Sequence, residues 1–295
     1  MSDQAQSLRQ MVLALNKFRL PPRDRQAKIV TVTSGKGGVG KSNFTLNFAL
    51  ALQSLGRRVL VFDADIGMAN IDVLMGVNSQ YNLLHLLKRE KSIDEIIQYG
   101  VGGLPYIAGG SGLSELFSLS DDDLNYFANE VEIMAANMDY VLFDTGAGLS
   151  KESLKFIASA DECLVVTTPE PTSLTDAYAL IKVVSGVQKD TVFKIIVNRA
   201  DNDNEARQAA DKIALVARRF LEIEIPLLGH ISDDRHVIQA VKRQVPFWVA
   251  FPGCAASRDV LNLAHRFAAM PQAPQSGTPS GIKGFMQKWL RRSMH

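Results

Sequence analysis

Gly35-Lys36-Gly37-Gly38-Val39-Gly40-Lys41-Ser42 fits the phosphate-binding loop template G-x-x-x-x-G-K-[ST]. An apolar, β-branched run, Ile29-Val30-Thr31-Val32-Thr33, precedes it, and a helical stripe of Phe44, Phe48, Leu52 and Leu55 follows. That is the strand–loop–helix context in which the template carries chemistry. Glycines let backbone N–H groups curl around an anion, and the helix N-terminus adds its dipole. Lys41 has the reach for β and γ phosphates, and the Ser42 hydroxyl suits Mg²⁺. The expected cradle runs through Gly37, Gly38, Val39, Gly40, Lys41, Ser42 and Asn43.

The same stretch also satisfies a dinucleotide fingerprint, Gly35-x-Gly37-x-x-Gly40, with Asp63 at about the spacing of a ribose ligand. Two features favour the triphosphate. A dinucleotide site has no use for consecutive Lys41-Ser42. Nor does it require a second apolar run ending in a carboxylate, yet Tyr140-Val141-Leu142-Phe143-Asp144 is one. An aspartate at the carboxyl end of a buried strand is where a phosphate loop needs its Mg²⁺-side carboxylate, so Ser42 and Asp144 are the expected metal pair.

The chain has 295 residues, enough for one substantial core. Apolar residues make up 46% and charged residues 21%, the composition of an ordinary soluble domain. A net charge of +1 supplies no global attraction to nucleic acid. Two cysteines, Cys163 and Cys254, make no disulfide framework, and Cys163 opens an apolar run that suits a buried, reduced thiol. No apolar run is long enough to span a bilayer, and the N-terminus lacks the apolar stretch of a signal peptide. The cytoplasm is the expected compartment.

Between residues 27 and 270, apolar runs at 29–33, 59–63, 104–108, 140–144, 163–167, 193–198 and 227–231 are separated mostly by helix-length patterns. The runs do not alternate polar with apolar, which suits strands buried on both faces. The expected fold class is α/β: a doubly wound, mostly parallel sheet flanked by helices, with ligand residues at the carboxyl ends of strands. Residues 1–26 form a polar arm with one helical stripe (Leu8, Met11, Val12, Leu15, Phe18) closed by Pro21-Pro22. Residues 271–281 read as a flexible linker and 282–295 as an amphipathic helix.

In Val59-Leu60-Val61-Phe62-Asp63-Ala64-Asp65 two acids sit two apart, so an extended strand would point both to one face. One of them could orient the attacking water. The plainer alternative is that Asp63 caps the strand end and Asp65 starts a turn. Lys36 is unexplained by the template, because a lysine there cannot easily serve the phosphates that Lys41 serves.

These residues resemble the MinD/ParA class of ATPases. Lys36-Gly37-Gly38-Val39-Gly40-Lys41-Ser42 looks like that class's deviant Walker A motif, in which the early lysine crosses a dimer interface. Residues 63–72 are similar to its switch I, and Asp144-Thr145-Gly146-Ala147-Gly148 to its Walker B and switch II. The resemblance spans about residues 27–265. It implies a P-loop fold, ATP and ADP with Mg²⁺, an ATP-bound homodimer, and slow switch-type hydrolysis. It gives catalytic roles to Asp65, Lys36 (in trans) and Lys41, adenine contacts to Asn198 and Arg199, and a cross-interface nucleotide contact to Glu170.

A finer resemblance is to the flagellar-number regulators FlhG, also called FleN or YlxH. The stretch Glu170-Pro171-Thr172-Ser173-Leu174-Thr175-Asp176-Ala177-Tyr178-Ala179-Leu180-Ile181-Lys182 carries it, as does the arm element Asp3-Gln4-Ala5-Gln6-Ser7-Leu8-Arg9. It implies that Asp3, Gln4, Ala5, Leu8 and Arg9 engage the flagellar GTPase FlhF. Flagellar switch-complex proteins or a flagellar transcription regulator are further partners it suggests. Other class members partition DNA, but this chain shows no basic DNA-binding surface and no winged helix, so direct DNA binding is not expected.

The C-terminal segment sets Ile282, Phe285, Met286, Trp289 and Leu290 on one face, flanked by Lys283, Lys288, Arg291 and Arg292, with no acid after Asp259. That is the composition of a helix lying in an anionic membrane surface. One such helix binds weakly, and two in a dimer gain effective concentration. Docking onto the core is the alternative. The expected whole is an ATPase switch limiting flagellar number or placement, cytoplasmic and peripheral to the inner face of the membrane. Rival readings are a division-site regulator, a DNA-partitioning ATPase, and a metabolic P-loop kinase or ligase.

Overall fold

Buried β-branched and aromatic residues set the centre of the molecule. The structure, a computed structural model, describes residues 26–65, 70–109 and 121–270, together with Gly284, Phe285 and Lys288. The N-terminal arm, residues 66–69 of the switch I match and the 271–281 linker lie outside the described residues. So do Ile282, Met286, Trp289 and Leu290.

Eight strands form one sheet: β1 (Lys28–Thr33), β2 (Val59–Ala64), β3 (Gln98–Tyr99), β4 (Pro105–Ile107), β5 (Tyr140–Thr145), β6 (Glu162–Thr167), β7 (Phe193–Ala200) and β8 (Leu227–Ser232). Their order is β3-β4-β2-β5-β1-β6-β7-β8. Every neighbouring pair is parallel except β3 with β4. Residues of β2, β5 and β6 are buried throughout, as the unbroken apolar runs require of strands covered on both faces.

Helices α1 (Lys41–Ser54), α2 (Ile71–Met75), α3 (Leu83–Leu87), α4 (Ile93–Ile96), α5 (Asp121–Ala135) and α6 (Lys151–Ser159) belong to the first half. Then come α7 (Pro171–Val187), α8 (Asp203–Leu221), α9 (Arg235–Lys242), α10 (Phe247–Ala250) and α11 (Ala255–Ala269). α1 and α11 share one face of the sheet, where Phe48 meets Phe267 edge-on at 5.4 Å. α3 to α6 cover the other face of the β2–β5 half, and α7 and α8 that of the β6–β7 half. β1 sits between β5 and β6, so its carboxyl end opens where the strand order changes direction, the place where such sheets bind ligands.

One element was not legible in the sequence. β3 is two residues long, contains no β-branched residue and pairs antiparallel with β4. Its existence depends on a tight turn in which Gly102 and Gly103 take φ of 67° and 69°.

At the amino end of the sheet, Glu162 of β6 is buried between the ammonium groups of Lys28 and Lys194, and both lysines lie over the ring of Phe267. A carboxylate so placed neutralises charge that burial would otherwise penalise. Replacing it leaves two ammonium groups in competition. Glu162→Gln is therefore expected to cost about 3 kcal/mol, the lower end for breaking a buried pair because both lysines keep some solvent contact. Urea titration checks this; an unchanged midpoint would show that the cluster is not stabilising.

Candidate nucleotide-binding site

The loop between β1 and α1 is shaped by two left-handed residues, Gly38 with φ 79° and Gly40 with φ 90°. Gly40 is the N-cap of α1 and supplies no side-chain cap, and the first turn of α1 carries no acid. The helix thus keeps its N-terminal N–H groups and dipole for an anion. The loop is also wedged from outside. A Cβ at Gly35 would lie 2.2 Å from the backbone of Asp176 in α7, and one at Gly40 would lie 2.4 Å from Asn198 Nδ2. Asn198 in turn donates through Nδ2 to Val39 O at 2.7 Å.

Beneath the loop the basic and acidic groups meet. Lys41, 6% exposed, places Nζ 2.9 Å from Asp144 Oδ1 and 3.2 Å from Ser42 Oγ. Thr45 Oγ1 also reaches Asp144 Oδ1 at 2.8 Å. The second carboxylate oxygen of Asp144, Oδ2, is buried without a partner. Ser42, Lys41 and Asp144 therefore converge as their spacing predicted. Thr45 was missed; it lies one turn beyond Lys41 on α1, which is the signal that could have found it.

The two acids of the 63–65 pair separate into different roles. Asp63 accepts backbone N–H bonds from Asp65 (3.2 Å), Asn70 (2.9 Å) and Ile71 (3.2 Å). It thus ties the end of β2 to the start of α2. Burial pushes its carboxyl up to about 7, the Asp144 charge beside it adds to this, and the three N–H bonds offset part of it. The plainer alternative, a strand-end cap, therefore describes Asp63. Asp65 faces switch II: a Cβ at Gly146 would stand 3.4 Å from its Oδ1.

Switch II is joined to the phosphate loop, because Gly148 N–H donates to Ser34 O at 2.9 Å. Ser150 caps α6 through the N–H of Ser153, and Ser153 Oγ returns to Gly146 O at 3.3 Å. Lys36 stands apart from the Lys41 cluster. Its Nζ lies 3.3 Å from Glu170 Oε2 and 3.3 Å from Thr172 Oγ1, at the start of α7. Asn198 and Arg199 border a cavity of about 530 Å³ that opens beside the loop, with Asn43, Asp233 and Phe247 among its walls. Arg199 holds a left-handed φ of 56° where the β7–β8 register is irregular. Cys163 is a free, buried thiol whose pKa burial pushes up to about 12, in keeping with the reduced state expected of it.

Phe285 corrects an expectation. The sequence placed it on a lipid-facing stripe, but here it is 2% exposed. Its ring stacks on Phe143 at 4.9 Å and lies 6.1 Å from Phe156. Amphipathic pattern alone cannot separate a membrane from a socket in the chain's own core, and three aromatic rings brought together by β2, β5 and α6 make such a socket. Among the described residues no helix is long and apolar enough to cross a membrane.

A glycine loop uncapped at a helix N-terminus, a buried lysine, and two strand-end aspartates define a P-loop nucleotide-binding protein. The model of the CobQ/CobB/MinD/ParA nucleotide binding domain matches residues 30–247, and the chain belongs to that family. It is 34% identical to the antiactivator FleN of Pseudomonas aeruginosa over 90% of this chain and 92% of that one. It is also 34% identical to the flagellum site-determining protein YlxH of Helicobacter pylori over 99% of each. Among solved structures, the MinC:MinD cell division protein complex of Aquifex aeolicus contains a chain 28% identical, with a TM-score of 0.67, matched over 86% of this chain and all of that one. The fold class and the MinD/ParA resemblance read from the sequence both stand.

The raised Asp63 carboxyl has a measurable consequence. Unfolded, the group titrates near 3.8; folded, near 7. Its contribution to stability is fully present below about pH 4 and is lost as pH rises to about 7. Carbon-13 NMR of labelled aspartate should show one carboxyl titrating near pH 7, moving down when Asp144→Asn removes the adjacent charge. A carboxyl that titrates near 4 would contradict this environment.

Proposed function

We propose that this protein is an ATP-driven switch of the flagellar-number type: an ATP-bound dimer at the inner face of the membrane, and a monomer in the cytosol when bound to ADP or empty. The observation that carries it is the convergence of Lys41, Ser42 and Asp144 beneath an uncapped helix N-terminus, with Lys36 held outside that cluster. The donor set fits a hydrated Mg²⁺: the Ser42 hydroxyl and the unpartnered Asp144 Oδ2 would hold it. The ion, when bound with nucleotide, offsets phosphate charge.

The chain's own groups do the rest. Gly37, Gly38, Val39 and Gly40 present N–H groups to phosphate, and Lys41 exchanges its Asp144 partner for the β and γ oxygens. Asp65 orients the attacking water. Lys36 leaves Glu170 and serves the partner subunit's nucleotide, while Glu170 meets that nucleotide across the interface. Asn198 favours adenine: with Nδ2 committed to Val39 O, its free Oδ1 can accept from an exocyclic amine and would repel a carbonyl at the same place. Similarity to FleN and YlxH over nearly the whole chain supports the flagellar assignment over division-site, DNA-partitioning and metabolic readings.

Residues 271–281 act as a linker, and 282–295 divide their time between the Phe143–Phe156 socket and anionic lipid, with two helices per dimer favouring lipid. ATP-dependent mass, measured with and without anionic liposomes, tests this. Wild type should dimerise and bind liposomes only with ATP. Lys41→Ala should lose nucleotide. Asp65→Ala should keep ATP, lose turnover by about 100-fold or more and remain dimeric. Deletion of 282–295 should dimerise without binding liposomes. A wild-type protein that stays monomeric with ATP, or a truncated one that still co-sediments, sinks the corresponding part.

Residues 1–26 are proposed as the arm that engages FlhF through Asp3, Gln4, Ala5, Leu8 and Arg9. A peptide of residues 1–20 should stimulate GTP hydrolysis by that GTPase without the ATPase domain. If it leaves the rate unchanged, the arm serves a structural purpose or another partner.

A further inference from the structure

The socket that holds Phe285 is built on the back of the catalytic strands. Asp63 and Asp144 are register partners on β2 and β5, and so are the residues before them, Phe62 and Phe143. Side chains alternate across a strand, so the two phenyl rings project from the face opposite the two carboxylates. Phe62 and Phe143 stand 4.9 Å apart, and Phe156 lies 5.4 Å from Phe143. Phe285 completes the cluster, its plane within 15° of that of Phe143.

The third ring comes from α6, which is fastened to the nucleotide side. α6 begins two residues after Gly148, whose N–H is bonded to the phosphate loop at Ser34 O. Ser153 holds Gly146 O, and Phe156 follows one helical turn later. A shift of Gly146 to Gly148 toward a γ-phosphate therefore carries Phe156 with it. A close-packed aromatic cluster does not absorb such a shift continuously; one ring must give way.

We infer that docking of Phe285 in this socket is negatively coupled to occupation of the nucleotide site, with Phe143 and Phe156 transmitting the coupling. The tail is then an intramolecular antagonist of ATP and not only a sequestered anchor. This rests on the ATP-switch reading above, and it adds a property that reading does not require. Coupling between sites is reciprocal: if nucleotide loosens the tail, removing the tail's ring must tighten nucleotide binding by the same factor.

The test uses the full chain with no lipid and no partner protein. The affinity for a non-hydrolysable ATP analogue is measured for wild type, Phe285→Ala, Phe156→Leu and the double variant, with thermal melts to confirm folding. Phe285→Ala should bind the analogue about 5-fold or more tightly, the lower end of typical coupling. Phe156→Leu should do so in part, and the double variant should gain less than the product of the two single gains. A ring that merely filled space would leave affinity unchanged or weaken it. In wild type, deuterium uptake at Gly284 to Lys288 should rise when the analogue binds. Equal affinity in wild type and Phe285→Ala, while wild type dimerises with the analogue, overturns the coupling and leaves the switch intact. A wild type that neither binds the analogue nor dimerises removes both.

Discussion

A lysine ammonium and an aspartate carboxylate 2.9 Å apart, both almost fully buried, are the constraint around which the molecule is arranged. Neither charge could be placed there alone, because burying an unpaired ion costs far more than a pair. Lys41 needs Asp144, and Asp144 needs a strand that ends beside the phosphate loop. That requirement fixes β5 next to β1 and sets the sheet order around it. It also raises the cost of ionising Asp63 in the adjacent strand, which explains why that carboxyl is used as a hydrogen-bonding staple and not as a second free charge.

The pair is also a stand-in. Asp144 offers one oxygen to Lys41 and Thr45 and leaves the other without a partner. Four elements of the loop region (glycine backbone, uncapped helix, lysine and orphaned oxygen) each carry an unmet electrostatic demand. They are compatible with a stable fold because the rest of the sheet is fully covered. Most of the core is aliphatic and aromatic, so the demand is confined to one end.

Much of this was readable in the residues, for physical reasons. Buried parallel strands write themselves as unbroken apolar runs, and the phosphate loop writes itself as glycine spacing followed by Lys41-Ser42. The central strands β1, β2, β5, β6 and β7 therefore fell close to expectation, and so did the Lys41–Ser42–Asp144 convergence. What was not readable depends on partners distant in sequence. β3 is stabilised by β4 and a glycine turn, not by its own residues. Asp63 and Asp65 look equivalent in sequence and are separated only by burial and by the N–H groups of Asn70 and Ile71. Phe285 shows the sharpest limit: an apolar stripe states that a face will be covered, and says nothing about what will cover it.

The contact between Asn198 and the loop has a consequence for how such a site can change. An amide on β7 occupies the space that any side chain at position 40 would need, and it is anchored to the carbonyl of Val39. The group that borders the base cavity and the glycine that shapes the phosphate cradle are thus one steric unit. Neither position is free to drift alone. A lineage altering its nucleobase preference through β7 would have to pass through forms with a disturbed phosphate loop, or accept a smaller residue that leaves the loop unbraced. Base choice and phosphate grip are inherited together here.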